Sequence, residues 1–420
     1  MGSIITLGLG NLEIDWGKTH NFIDHSALFT KGKLGTATYK YFDLDELDKV
    51  IYERQPALLS PLKDVVPRLE LLGYTVGTAK SLYYEAVDLG YVSKDEILPF
   101  EEVLDALQNL HIKTLPLNYQ DREHDPGKFV EREILDLLKL LEKDDDFDDD
   151  DIDMDRIFKR RLMGEVLENL HPWAILRLLA ENPENLDIPV VWFFHDVVEG
   201  GWVNTEDIVK PVSQECKFIL VTEGSSDTHI LKKAISTLQP KISDFFTFID
   251  MEEGYPFTGI GNLHNFCQGL AKIGVINNIL AIYDNDIEGT SKFVDAQELQ
   301  LPQNMRIMKL PFLDEFKAFK TIGPTGESIE DINGKAVAIE CYLDLNWESE
   351  NEAVVRWSGF NKRIKQYQGE LVAKEKYTKK FLRQKQIVQN YDYSKLEKLI
   401  GEIYIHCVDI AQAKIKRSVI

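Results

Sequence analysis

The sequence predicts an α/β protein: a parallel sheet flanked by helices in its second half, preceded by an α+β, mostly helical N-terminal region. Three observations carry this. From about residue 212, short apolar runs (KFILVTE, DFFTFID, NNILAIYD, MRIMKL) alternate with helix-like stretches (DTHILKKAISTL, NLHNFCQGLAKIG, SKFVDAQEL), the pattern of strands joined by helical crossovers. Those runs are almost wholly apolar, as strands must be when helices cover both faces of a sheet. Upstream the periodicity differs, with two-residue alternation giving way to three- and four-residue spacing.

Residues 1–50 alternate in SIITLGLG and TATYKYFDL and hold several glycines, which predicts short strands and turns. Over 60–140, LKDVVPRLELLGYT, TAKSLYYEAVDLG and REILDLLKLLEK are spaced as helices. The run LEKDDDFDDDDIDMD follows. It lacks the central glycine and final glutamate of an EF-hand, so residues 142–155 are expected to be a solvated acidic loop between helical parts. RIFKRRLMGEVLENL and WAILRLLAEN are again helix-like. The expected divisions are an N-terminal region over 1–205, a sheet domain over 212–345, and a helical C-terminal extension over 346–420 carrying a basic segment at 356–385.

Composition excludes several classes. The net charge of −22 argues against nucleic-acid binding by the whole surface, but leaves room for a local basic face. No apolar run is long enough for a membrane span, and MGSIITLGLGNLEIDWGK has neither the basic nor the apolar region of a signal peptide. The four cysteines stand far apart without zinc-ligand spacing, so a reduced, cytoplasmic protein is expected.

Chemistry is expected at the carboxyl ends of the strands, where open parallel sheets place their sites. The first strand ends in Glu223 and Gly224, with Asp227 at the start of the next helix. The second ends in Asp250, and the third in Asp284 and Asp286. Acids from successive strands thus share one edge. Gathered carboxylates raise each other's pKa unless a counter-charge intervenes, and a divalent cation with hard oxygen ligands supplies one. Gly224 and Gly289 are expected to permit the turns beside these acids. Each acid alone has a plainer reading as a helix cap or loop residue.

The pair of motifs, VTEGSSD and AIYDNDIEG, resembles the Toprim domain of topoisomerases, primases and nucleases of the overcoming-lysogenization-defect (OLD) type. The spacing of Glu223 and Asp227 resembles the nuclease branch most. The resemblance implies Glu223 as metal ligand or proton-transfer group. It implies Asp227, Asp284 and Asp286 as ligands of Mg²⁺ or Mn²⁺ in a two-metal site. In NGKAVAIECYL it adds Glu340 as a further ligand, with Asp331 and Lys335 as lesser candidates. A topoisomerase would need a marked nucleophilic tyrosine and a primase a zinc domain, and neither is apparent. The N-terminal stretch GSIITLGLGNLEIDWGKTHNFIDHSALF followed by VPRLELLGYT is similar to the domain that precedes either a HEPN ribonuclease or a Toprim domain in prokaryotic proteins. That resemblance implies a part in defence against phage. In this region Glu13, Asp15, His20, Asp24 and His25 form a polar cluster best read as turns and caps, and His195 is expected in an apolar core.

The segment RWSGFNKRIKQYQGELVAKEKYTKKFLRQK holds ten Lys/Arg against two Glu, a local reversal of sign. Arg356, Lys362, Arg363, Lys365, Lys374, Lys379 and Lys380 are the candidate nucleic-acid contacts, with Trp357, Phe360, Tyr367 and Tyr377 placed to stack. Lys376, or Lys374 in its place, is the candidate for stabilising charge on the scissile phosphate. The expected function is a metal-dependent nuclease acting on DNA or RNA, controlled by a partner protein or homo-oligomer. The alternative is a non-catalytic regulatory or scaffold protein whose acidic crevice binds metal or nucleotide.

Overall fold

A computed structural model describes residues 3–42, 49–89, 98–115, 169–249, 260–349, 352–361 and 365–418. The acidic run 142–155, the helix expected at REILDLLKLLEK, Asp250, Lys362 and Arg363 lie outside them. The chain divides into two compact units, residues 1–212 and 213–420, each described by itself.

Unit 1 is a five-stranded antiparallel sheet with helices. Strands β1 (Ile4–Leu9), β2 (Leu12–Lys18), β3 (Leu34–Phe42), β4 (Val50–Pro61) and β5 (Pro189–Phe193) lie in the order β2-β1-β5-β4-β3. The β1–β2 turn needs Gly10, whose φ of +61° is in the left-handed region. Period-two alternation sends Ile5, Leu7 and Leu9 of β1, with Leu58, Val190 and Trp192, into one core. Helices α1 (Leu62–Leu71), α2 (Val76–Leu89), α3 (Phe100–Gln108) and α4 (Pro172–Leu179) bury Leu69, Tyr83, Val103 and Leu176 in that core. Two short helices, α5 (His195–Glu199) and α6 (Thr205–Ile208), end the unit. His195 is not the core histidine expected: it opens α5, about a third exposed, and its Nε2 lies 3.4 Å from a Glu199 carboxylate oxygen one turn on.

Unit 2 contains the expected parallel sheet flanked by helices. Strands β6 (Phe218–Val221), β7 (Phe246–Ile249), β8 (Asn278–Tyr283) and, after the two-residue β9 (Asn285–Asp286), β10 (Met305–Lys309) run parallel in the order β10-β8-β6-β7. The crossovers hold α7 (Ser225–Leu238), α8 (Ile260–Ile273) and α9 (Ile287–Gln297). Every residue of β8 is buried, which requires cover on both faces. Leu263 and Cys267 of α8 and Ala296 of α9 pack with Val221, Ile279, Ala281 and Tyr283.

The C-terminal part departs from the helical extension expected over 346–420. After the hairpin β11 (Phe319–Gly323) and β12 (Gly326–Glu330) and the short β13 (Ala336–Val337) come two strands, β14 (Val355–Asn361) and β15 (Gln366–Leu371). The order is β12-β11-β14-β15, and β13 pairs separately with β9. Among the described residues there, α10 (Lys374–Arg383) and α11 (Ser394–Ser418) are the helices. The reason is local. Val355 and Leu371 are buried opposite each other while Arg356 and Glu370 are exposed opposite each other, a two-residue period that the density of Lys and Arg concealed.

Candidate carboxylate site

The edge formed by the ends of β6 and β8 gathers the predicted acids. After β6, Thr222 and Thr228 share a hydroxyl hydrogen bond of 2.9 Å, and Thr228 also donates to the Ile249 carbonyl at 3.2 Å, pinning the start of α7 to the strand ends. Asp227 lies in the first turn of α7, where its carboxylate accepts from the Gly224 amide at 3.0 Å. Such a bond satisfies an otherwise orphaned helix donor. Glu223 accepts from the Asp284 amide at 3.1 Å, which ties the ends of β6 and β8 together. Asp286 caps α9 by accepting from the Gly289 amide at 2.6 Å, and its other oxygen accepts from the Gln368 side-chain amide of β15 at 2.8 Å. Alternation puts Asp284 and Asp286 on one side of the chain and Asn285 on the other, where Asn285 accepts from the Gly334 amide at 3.1 Å. Glu340 belongs to a single 3-10 turn, Ile339–Tyr342, and is 3% exposed.

The glycines act differently from expectation. Gly224 is extended (φ −141°), and a Cβ there would meet only an Asp227 oxygen at an ordinary 3.7 Å, so the turn does not demand glycine. Gly289 does need to be glycine, for space: a Cβ would be driven into the Asp284 carbonyl.

Burial dominates the electrostatics. It pushes Glu223 up to about 8, with Asp286, Asp227 and Glu288 adding repulsion. It pushes Asp227 up to about 7, aided by Glu340. Asp284 is raised well above the carboxylate range by burial, then by Asp227, Glu223, Asp286 and Glu340. Asp286 is raised by burial and by Glu288, against the opposing Gly289 amide. Lys374, the first residue of α10, is the main counter-charge. Burial works against its ammonium, but Glu340, Asp284 and Asp227 hold its pKa above the usual value. Lys309, at the end of β10, is lowered by burial despite the attraction of Asp286. Its Nζ donates to the Thr290 hydroxyl at 3.2 Å and lies 5.0 Å from the Phe312 ring centroid.

These donors are all oxygens, the set that suits Mg²⁺ or Mn²⁺, and their mutual repulsion is what a divalent cation relieves. Among the described residues, no three His, Cys, Asp or Glu side chains already stand in ligating positions. Asp286 engages both oxygens, and Asp227 and Glu223 one each, with protein amides. A cation would draw them off those amides.

The remaining candidates disperse. Lys376 is exposed on α10 two residues from Lys374, and it is Lys374 whose charge acts on Asp227 and Asp286. Lys380 donates to the Trp347 and Glu348 carbonyls, Lys379 is exposed, and Lys365 occupies the β14–β15 turn at φ +56°. Asp331 accepts from the Asn333 backbone and side-chain amides, both at 2.9 Å, and Lys335 donates to the Asp331 carbonyl at 3.0 Å. Those two residues shape a loop. In unit 1, His25 is buried with Nε2 2.8 Å from an Asp15 carboxylate oxygen, while its Nδ1 accepts from the Trp173 indole at 2.8 Å. Both ring nitrogens are used in holding the fold. Gln368 and Lys309 went unforeseen. Lys309 had a signal, as the last residue of the strand in MRIMKL, but Gln368 had none.

No curated protein and no solved structure matches the chain. Residues 1–215 match the model of the family described as HEPN/Toprim N-terminal domain 1. That span is just over half of the 420 residues and takes in every strand of the antiparallel sheet of unit 1. The chain therefore belongs to the HEPN/Toprim N-terminal domain 1 family.

Proposed function

We propose that unit 2 is a Toprim-type nuclease module of the OLD kind, hydrolysing phosphodiester bonds of DNA or RNA with Mg²⁺ or Mn²⁺. One observation carries the reading: the ends of β6 and β8 bring Glu223, Asp227, Asp284 and Asp286 to one edge, where Glu223 accepts from the Asp284 amide and Asp286 and Asp227 cap the helices that follow, and burial and mutual repulsion raise the pKa of these acids, with Lys374 as counter-charge. Asp227, Asp284, Asp286 and Glu340 would hold the ions. When bound, the ions would lower the pKa of a water and neutralise charge on the leaving oxygen. Glu223, raised to about 8, is poised to take up or release a proton near neutral pH. Lys374 is the cation placed to meet a phosphoryl oxygen, and Gln368 fixes the Asp286 carboxylate from the β14–β15 hairpin. The name of the matched family couples this N-terminal domain to HEPN and Toprim partners, which fits a prokaryotic anti-phage effector.

A binding module without catalysis is the second reading, favoured by the hydrogen bonds that amide N–H groups donate to Glu223, Asp227 and Asp286. Incubation with supercoiled plasmid, single-stranded DNA and total tRNA under Mg²⁺, Mn²⁺ or EDTA separates the two. Metal-dependent cutting, lost in Asp284→Asn with the fold retained, is expected. Cation-induced thermal stabilisation with no cutting of any substrate would replace the nuclease by the binding module.

A further inference from the structure

We propose that the groove between α7 and the chain leaving α10 seats the substrate's phosphate backbone to one side of the scissile bond. The proposal rests on the nuclease reading above and extends it to where the nucleic acid runs. Both helices start at the carboxylates: Asp227 lies in the first turn of α7, and Lys374 opens α10. The two helices pack against each other. The end of α10 is pinned to the middle of α7 by Lys233, whose Nζ donates to the Leu382 carbonyl at 3.5 Å and to the Gln384 carbonyl.

Beside that pin lies a groove of about 660 Å³ whose lining includes His229, Lys232, Lys233, Ser236, Lys385 and Ile387. Among the described residues no carboxylate lines it, in a chain of net charge −22. Lys233 is committed to the carbonyls and builds the groove. Lys232 and Lys385 are exposed on either side of it and present ammonium groups suited to successive phosphates. The exposed Ile387 offers apolar surface to a sugar, while the Ser236 hydroxyl is spent on the Lys233 carbonyl at 2.9 Å. At about 1.5 Å per residue, α10 spans about 14 Å, the axial length of about four base pairs. The contact is with the backbone, so it carries no sequence preference.

The test measures binding of labelled duplex DNA, single-stranded DNA and an RNA hairpin in EDTA over a salt series. It uses the full chain, as wild type, as Lys232→Gln/Lys385→Gln, and as Lys272→Gln, which removes an exposed lysine at the end of α8. Thermal melting confirms that each variant folds. The double variant is expected to weaken binding and to flatten the slope of log K against log salt by about 1.8 on a duplex or about 1.4 on a single strand. The Lys272→Gln control is expected to change neither. The probe that shows the loss names the nucleic acid that the groove takes. Wild type that binds, with a double variant of unchanged affinity and slope, overturns the groove and leaves the nuclease standing. A loss in Lys272→Gln of half the double variant's or more also overturns it, because the effect per lysine is then diffuse charge. Wild type that binds no probe here and cuts no substrate in the Mg²⁺ and Mn²⁺ assay above overturns the nuclease and the groove together.

Discussion

Asp284 bears the repulsion of four other acids, Asp227, Glu223, Asp286 and Glu340, on top of its burial. Replacing it by Asn keeps the shape and removes the charge. Asp284→Asn is expected to melt higher than wild type in EDTA, by about 2–4 °C for each 1 kcal/mol of relieved repulsion. It should also lose the gain in melting temperature that wild type shows with Mg²⁺. Glu223→Gln separates proton transfer from cation binding. Cleavage should fall by about 10²–10⁴ while the Mg²⁺-induced rise in melting temperature persists, and a melt beside a plasmid assay reads both. Glu223, Asp227, Asp284 and Asp286 were legible because each follows an apolar strand run or opens the helix after it, whereas Glu340, in a 3-10 turn, came only from the family resemblance. Gln368 was not legible. Its partner Asp286 is 82 residues away, and nothing in QYQGEL distinguishes a glutamine facing a carboxylate from one facing water.

At the level of elements, α9 is seated so close to the end of β8 that its third residue has no room for a side chain. Gly→Ala within a helix usually stabilises, by about 0.4–1 kcal/mol. Here the sign should reverse. Gly289→Ala is expected to cost about 1–3 kcal/mol, the range for overpacking, and to cut cleavage by displacing Asp284 and Asp286 together. Urea titration of the variant reads the first effect. The strand–helix alternation of unit 2 was recovered from sequence because each short run is almost wholly apolar and is followed by a helix-spaced stretch. The β14–β15 hairpin was missed for the opposite reason. Its alternation is interrupted by a bulge after Trp357, and its exposed positions carry the same Lys and Arg that a solvated helix would. Gln368→Ala, which unties this hairpin from Asp286, is expected to weaken Mg²⁺ stabilisation without unfolding unit 2, as calorimetric titration would show.

For the whole molecule, the two units are expected to answer pH in opposite directions. In unit 1, burial holds His171 down to about 4, and its Nδ1 accepts from the Trp173 amide at 3.2 Å, a bond only the unprotonated ring can make. Between about 4 and the usual 6.5 the unfolded chain binds the proton that the folded one refuses. Unit 1 therefore loses stability as pH falls through that window. In unit 2, Glu223 and Asp227 sit near 8 and 7, raised from 4.5 and 3.8. There the folded state binds the extra protons, so stability falls as pH rises from about 4 to 8. Scanning calorimetry in EDTA between pH 5 and 8 should show one transition moving up and another moving down. Mg²⁺ should lift the second most at pH 8, where the carboxylates it needs are ionised. A second transition that rises in parallel with the first would contradict the repulsion assigned to the site.

The tie from Gln368 and Lys374 back to the carboxylates also bears on how the protein is made. Ribosomes release residues in order, and domains fold as their sequence emerges. A nascent chain that has reached residue 345 holds Glu223, Asp227, Asp284, Asp286 and Glu340 but has neither Gln368 nor Lys374. Its acids crowd one another with no lysine from α10 to offset them, and no hairpin secures Asp286. Assembly of the centre thus waits until residue 374 has emerged, about 150 residues after Glu223, and shorter fragments lack both that lysine and that tie.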